Sequence, residues 1–268
     1  MIQEFKHQGN VLAFAQYGDP QGYPIIVHHG LVGSIENPAL LPWSSKLKGI
    51  SLLFIARPGY GRSPFFILKD YAQWGSVVDS LLKQLHIQDF DTLGMSAGAP
   101  YSYALGYFFP TRVKRIHIYS GLPWLEDKEI LHSYPKEKKV EAFYDFVRSS
   151  TLEEVGKFLY QEYIAPLPKN LKESKDFVDS TQQGCISMAQ EAKLQSSPWG
   201  FNLQAIAQPV FLQHSLVDQE VPWEAVAKTV QKLQDGHLET LENSPHVDTE
   251  SLSTFFEKTF YRINHQAI

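Results

Sequence analysis

Three residues of this chain have types and an order suited to nucleophilic chemistry: a serine bracketed by glycines, a later aspartate and a histidine near the end. Ser96 lies in Gly94-Met95-Ser96-Ala97-Gly98, after an apolar strand pattern and ahead of the apolar helix pattern AGAPYSYALGYFF. At a sharp strand-to-helix turn such a serine projects its hydroxyl, and flanking glycines let neighbouring backbone approach without a Cβ clash. The helix N-terminus beyond it favours developing negative charge. A serine hydroxyl is a poor nucleophile at neutral pH until an imidazole takes its proton, and a carboxylate fixes the tautomer of that imidazole. Asp218 follows the strand pattern VFLQHS, and His246 lies 28 residues further on, between a short strand pattern and the last helix. The order Ser, Asp, His is therefore complete, with His246 as general base and Asp218 as the acid that orients it.

A fourth segment, His28-His29-Gly30-Leu31-Val32-Gly33-Ser34, follows a buried-strand pattern. A glycine at that point lets the chain fold back over the serine turn. The backbone N–H groups of Leu31 and Ala97 are then expected to face the oxygen that becomes negative in a tetrahedral intermediate. His28 and His29 are adjacent, so they point to opposite sides of an extended chain, and no carboxylate cluster accompanies them; no metal site is expected. His86, His132 and His237 fall at a helix end, in a charged helical stretch and at a strand start, where histidines are ordinarily structural.

Parallel strands joined by helical crossovers are needed to bring these loops together. Apolar, β-branched runs predict strands at Val11 to Ala15, Ile25 to His28, Leu52 to Ala56, Thr92 to Met95, Val113 to Tyr119, Val210 to Ser215 and Leu238 to Leu241. Trp74, Val77, Val78, Leu81, Leu82 and Leu85 recur at helical spacing and form one apolar stripe. Further helices are expected near Trp223 to Leu233 and from Thr249 onward. Between them, residues 122–200 carry charged helix-period segments and no strand pattern, which reads as a helical cap inserted after the sixth strand into a core of residues 1–121 and 201–268. Thr151 and Glu154 have capping-box spacing at the start of its second helix.

Composition narrows the partners. A net charge of -5 with 20% charged residues gives no basic excess for nucleic acid or an anionic membrane surface. Cys185 is the single cysteine, which excludes an intramolecular disulfide and a cysteine metal cluster. No segment has the apolar length of a signal peptide or a membrane span, so a cytoplasmic protein acting on a small molecule is expected, with the oligomeric state left open.

Taken together, these residues resemble the α/β-hydrolase superfamily over essentially the whole chain: the His29-Gly30 loop, RPGYGRS from Arg57 to Ser63, the glycine-serine-glycine turn, and the acid and histidine loops. The PWGFNL stretch, Pro198 to Leu203, is similar to the return from the cap in esterase-like and proline iminopeptidase-like members. The resemblance implies the α/β-hydrolase fold, a mostly parallel eight-stranded sheet flanked by helices with an inserted helical cap. It also implies a serine hydrolase, carboxylesterase-like, that forms an acyl-enzyme without cofactor or metal. Three departures stand out: Ala56, Ser215 and Pro245 replace the aspartate, glycine and glycine frequent at those positions. His29, Trp124, Phe143 and Trp199 are expected at the substrate pocket, while the remaining cap aromatics at helix spacing read as cap core. A proline iminopeptidase-like activity needs cap carboxylates, for which Glu153, Glu154 and Glu162 are the candidates, although solvated helix faces are the commoner role. The same scaffold is also compatible with carbon–carbon bond hydrolysis, or with a ligand-binding or signalling role.

Overall fold

The computed structural model describes residues 2–36 and 47–265. Its strands are β1 (Ile2–His7), β2 (Asn10–Gly18), β3 (Tyr23–His28), β4 (Ile50–Ile55), β5 (Phe90–Met95), β6 (Val113–Tyr119), β7 (Val210–Ser215) and β8 (Gly236–Leu241). They form one eight-stranded sheet in the order β1-β2-β4-β3-β5-β6-β7-β8. β2 pairs antiparallel with both β1 and β4, and the remaining pairings are parallel. The mostly parallel sheet read from the sequence is present, with β1 as an additional strand that the apolar pattern did not reveal.

Side-chain alternation divides the core into two layers, because successive residues of a strand face opposite sides of the sheet. Leu12, Phe14, Ile26, Leu53, Ile55, Ile116 and Ile118 bury one face, against α1 (Trp74–Gln84) and α2 (Ala99–Phe108). Ala13, Ala15, Ile25, Val27, Leu52 and Phe54 bury the other face, which Phe255, Phe256 and Phe260 of the closing helix cover. Helix α2 is buried on nearly every side, consistent with its apolar composition.

Between β6 and β7 the chain is helical: α3 (Lys128–Leu131), α4 (Val140–Ser149), α5 (Leu152–Leu159), a π-turn (Tyr160–Ile164), α6 (Lys169–Lys172), α7 (Lys175–Thr181) and α8 (Ile186–Gln195). The remaining helices are α9 (Trp223–Gln231) and α10 (Thr249–His265). The capping box at the start of α5 is formed: Thr151 accepts from the Glu154 backbone N–H, and the Glu154 side chain accepts from that of Thr151. Val147, Val155, Leu159, Ile164, Cys185, Met188 and Ala189 give the insert its own small core, and Leu31 and Val32 pack against it. Helix α7 docks on the same loop, where the Gly33 N–H donates to Ser180 Oγ (3.0 Å) and Ser34 donates to the Asp179 carboxylate. Among the described residues, no helix is long and apolar enough to cross a membrane.

Candidate active site

Ser96 stands where β5 turns into α2, with a φ of 49°, in the left-handed region that non-glycine residues rarely adopt. The turn is held by packing that tolerates no side chain at its neighbours. A Cβ on Gly94 would stand 2.7 Å from the Gly98 carbonyl oxygen, and one on Gly98 would stand 2.3 Å from that of His28. The Leu122 N–H donates to the Ser96 carbonyl (3.0 Å), tying the turn to the chain that leaves β6. Ala97 is buried directly behind the serine.

Ser96 Oγ lies 2.8 Å from Nε2 of His246, and Nδ1 of His246 lies 2.7 Å from Oδ2 of Asp218. The sequence placed these residues 150 and 28 positions apart, and the structure joins them in one hydrogen-bonded chain. A carboxylate only accepts, so Nδ1 of the imidazole carries the proton and the Nε2 lone pair faces the serine hydroxyl. Asp218 Oδ1 accepts from the N–H groups of Glu220 (2.8 Å) and Val221 (3.0 Å). Burial works against the Asp218 charge, but the His246 hydrogen bond and those two backbone donors outweigh it and hold the carboxyl below its ordinary range.

Pro245 does not prevent His246 from reaching Ser96, as the 2.8 Å contact shows. The departure at Ser215 has a structural use: its Oγ accepts from the N–H groups of Val217 and Ser244, both at 3.3 Å, and so links the loop of Asp218 to the loop of His246. The Ala56 carbonyl accepts from Ser63 Oγ (2.7 Å), closing the turn that starts at Arg57. His214 was not singled out by the sequence, yet its Nε2 donates to the Val221 carbonyl (2.9 Å) and lies 3.5 Å from Asp218 Oδ2. Burial, with the nearby His246, lowers its pKa and keeps it neutral.

The two adjacent histidines part ways as the alternation of a strand requires. His28 is buried, and its Nε2 accepts from the Trp74 indole N–H (2.9 Å), which leaves the proton on Nδ1 to donate to Ser102 Oγ (3.0 Å). Burial, then the Arg57 charge, keeps its pKa well below the usual range. His29 turns into the loop, where Nδ1 donates to the Gly30 carbonyl (2.8 Å) and the ring meets Tyr60 edge-on. The ring is buried and shapes the loop. Gly30 approaches the serine, and a Cβ there would stand 3.5 Å from that of Ser96.

Trp199 is likewise enclosed. It is fully buried, edge-on to Tyr71 and stacked with Tyr103, so the ring belongs to the core at the base of the insert. Trp124 and Phe143 are half-buried; the Trp124 indole donates to Glu126 (3.1 Å), and Phe143 packs among Tyr144 and Phe158. Glu153, Glu154 and Glu162 lie on exposed faces, Glu153 paired with Lys157 and Glu154 engaged in the capping box. They do not converge on an ammonium site. Arg57, Tyr60, Tyr101 and Glu191 form a buried polar cluster behind the Gly30 loop that sequence reasoning missed. Arg57 and Tyr60 fall inside the RPGYGRS motif, which was a signal, whereas Glu191 had none.

No protein-family model matches the chain. A curated protein named uncharacterized hydrolase YcgS, from Bacillus subtilis, is 25% identical and aligns with 81% of each chain. Among solved structures, MGS-M2, an α/β hydrolase enzyme from a Medee basin deep-sea metagenome library, superposes with a TM-score of 0.73 at 17% identity, over 99% of this chain and 98% of that one. The esterase EaEST from Exiguobacterium antarcticum gives 0.71 at 18% identity, over 97% and 99%. The chain has the α/β-hydrolase fold.

Proposed function

We propose that this α/β-hydrolase-fold chain is a serine hydrolase that cleaves a small or medium carboxylic ester, or a related acyl substrate, through an acyl-enzyme. The observation that carries the reading is the unbroken relay from Ser96 through His246 to Asp218, with contacts of 2.8 and 2.7 Å, at a serine held in a strained turn.

In this mechanism the His246 lone pair takes the Ser96 proton as Oγ attacks the substrate carbonyl carbon. The N–H groups of Leu31 and Ala97 receive the oxygen that becomes negative, a contribution of about 3 kcal/mol for one such donor. The imidazolium, stabilised by Asp218, then protonates the leaving alcohol as the carbon–oxygen bond breaks. Water, deprotonated by the same imidazole, attacks the acyl-serine and frees the acid and the serine. The helical insert, residues 122–200, serves as the cap over this site, with Trp124 and Phe143 as its candidate substrate contacts. The name of the Bacillus relative and the esterase among the structural neighbours agree with hydrolysis.

The test is incubation of the purified protein with a fluorophosphonate, beside Ser96→Ala and His246→Ala, with hydrolysis of p-nitrophenyl esters of increasing acyl length followed in parallel. Labelling and turnover in the wild type that vanish in both variants support the reading. A folded wild-type protein that neither labels nor turns over ester refutes it and leaves ligand binding as the role of the scaffold.

A further inference from the structure

Arg57 is fully buried directly behind the loop that carries Leu31. Its Nη1 donates to the His29 carbonyl at 2.7 Å, its Nη2 to the Gly30 carbonyl at 2.9 Å, and its Nε to Glu191 Oε1 at 2.7 Å. The Tyr60 hydroxyl donates to the next carbonyl, that of Leu31, at 2.8 Å. Three successive carbonyls are thus tied to one cluster. The rings of Tyr60 and Tyr101 lie 5.0 and 4.7 Å from the guanidinium carbon, and Tyr101 also donates to Glu191 Oε1 at 2.9 Å.

Peptide geometry turns this anchoring into a statement about the N–H of Leu31. In a trans peptide the carbonyl of one residue and the N–H of the next point in opposite directions across a rigid plane. Fixing the Gly30 carbonyl on Arg57 therefore aims the Leu31 N–H away from Arg57, and fixing the Leu31 carbonyl on Tyr60 removes the remaining freedom of that residue. Gly30 itself abuts Ser96, with 3.5 Å between its Cβ position and the serine Cβ.

Stability alone is a weak reason for such a cluster, since a buried ion pair can often be replaced by apolar side chains without loss. Here the pair is incompletely satisfied, because Glu191 Oε2 is buried with no hydrogen-bond partner. What an apolar substitute could not supply is a planar fork of donors matched to two neighbouring carbonyls. Glu191 belongs to α8 of the insert, and it provides the opposite charge that a buried guanidinium requires.

We propose that Arg57 and Glu191 are positioning residues for the oxyanion-binding N–H of Leu31, which makes the helical insert, through α8, part of the device that stabilises the tetrahedral intermediate. The proposal rests on the serine-hydrolase reading of the same site.

The experiment compares Arg57→Lys and Glu191→Gln with wild type by burst titration of competent sites, kcat per titrated site, KM, and affinity for a boronic acid transition-state analogue. A lysine ammonium cannot span both carbonyls in the geometry of the fork, so kcat per site in Arg57→Lys is expected to fall about 10- to 100-fold. KM should stay near the wild-type value while analogue affinity falls in step with kcat, the pattern of an interaction made in the transition state. Glu191→Gln keeps an acceptor for Arg57 and Tyr101 and should show the same pattern with a smaller loss. Asp91→Asn is the stability control. Its carboxylate holds Tyr23, Arg115 and His117, and it lies five residues before Ser96 on β5, roughly 16 Å away. It should lower Tm and leave kcat per site unchanged. Wild-type turnover with unchanged kcat per site and analogue affinity in both Arg57→Lys and Glu191→Gln overturns the proposal alone. A wild type without labelling or turnover overturns the hydrolase reading and the proposal with it.

Discussion

Replacing Asp218 by asparagine removes a charge and keeps one oxygen, and the surroundings of the carboxylate decide which oxygen the amide can mimic. Oδ1 sits between two backbone donors, the N–H groups of Glu220 and Val221 at 2.8 and 3.0 Å. An amide NH2 placed there would set donor against donor twice, at a cost of about 1–3 kcal/mol for each backbone group left unpaired. In Asp218→Asn the amide oxygen therefore keeps that place, and the NH2 takes the position of Oδ2, 2.7 Å from Nδ1 of His246. To accept from it, His246 must carry its proton on Nε2, the nitrogen 2.8 Å from Ser96 Oγ. The imidazole then offers the serine a donor and cannot take its proton. The wrong tautomer costs on the order of 10⁴ in kcat in serine proteases, which corresponds to about 5.4 kcal/mol at 1.36 kcal/mol per decade. The assay is p-nitrophenyl acetate hydrolysis, expressed as kcat per folded enzyme, with Tm measured alongside. Because both backbone donors keep an acceptor, Tm should move little. A folded Asp218→Asn protein within tenfold of wild-type kcat would refute the tautomer argument.

Two other perturbations test the packing around the site. Gly98→Ala places a Cβ 2.3 Å from the His28 carbonyl oxygen and 2.8 Å from that of His29, both backbone atoms, so the end of β3 must shift; fluorophosphonate labelling should slow by more than about 100-fold, and wild-type labelling would show that the close approach is not required. Cys185 is buried in the core of the insert and burial pushes its thiol up to about 11; iodoacetamide at pH 8 should modify it only after denaturation, and rapid modification of the native protein would mean that the packing of α5 on α8 opens readily.

How far the sequence reveals the molecule depends on where each residue finds its partners. Ser96 and Asp218 were legible because each follows a strand whose apolar run is visible, and loops at strand ends are where open parallel sheets place their sites; His246 follows β8, none of whose residues is buried, and was legible from its place ahead of the last helix. β1 escaped notice because only Phe5 and His7 of its six residues are buried, and Glu4 and Lys6 face out. The start of β5 was read two residues late: Asp91 looks like a loop residue, and it is buried only because Tyr23, Arg115 and His117 from other strands satisfy it. Trp199 and His29 were expected at the pocket for their chemistry, and their burial is set by Tyr71, Tyr103 and Tyr60, which no local pattern connects to them. Glu191 is the strongest case. Its partner Arg57 is 134 residues away, and α8 buries Gln190, Glu191 and Gln195 along with its apolar residues, so no amphipathic stripe distinguishes its inner face.

The two halves of the insert are tied to the core by different physics. α7 and α8 meet the loops beside Ser96 through buried polar groups: Ser34 with Asp179, Gly33 with Ser180, Leu68 with Gln190 and Arg57 with Glu191. Separating such groups would leave donors and charges unpaired in the interior, so this half has every reason to stay where it is. The part from α5 to α6 presents Tyr160, Tyr163 and Leu171 to solvent, and its charged pairs, such as Glu153 with Lys157, are surface pairs of little energetic weight. The half bonded to Arg57 and Gly33 is fastened to the core by buried polar groups, whereas α5 is held within the insert by apolar packing of Val155 and Leu159 against Cys185 and Met188.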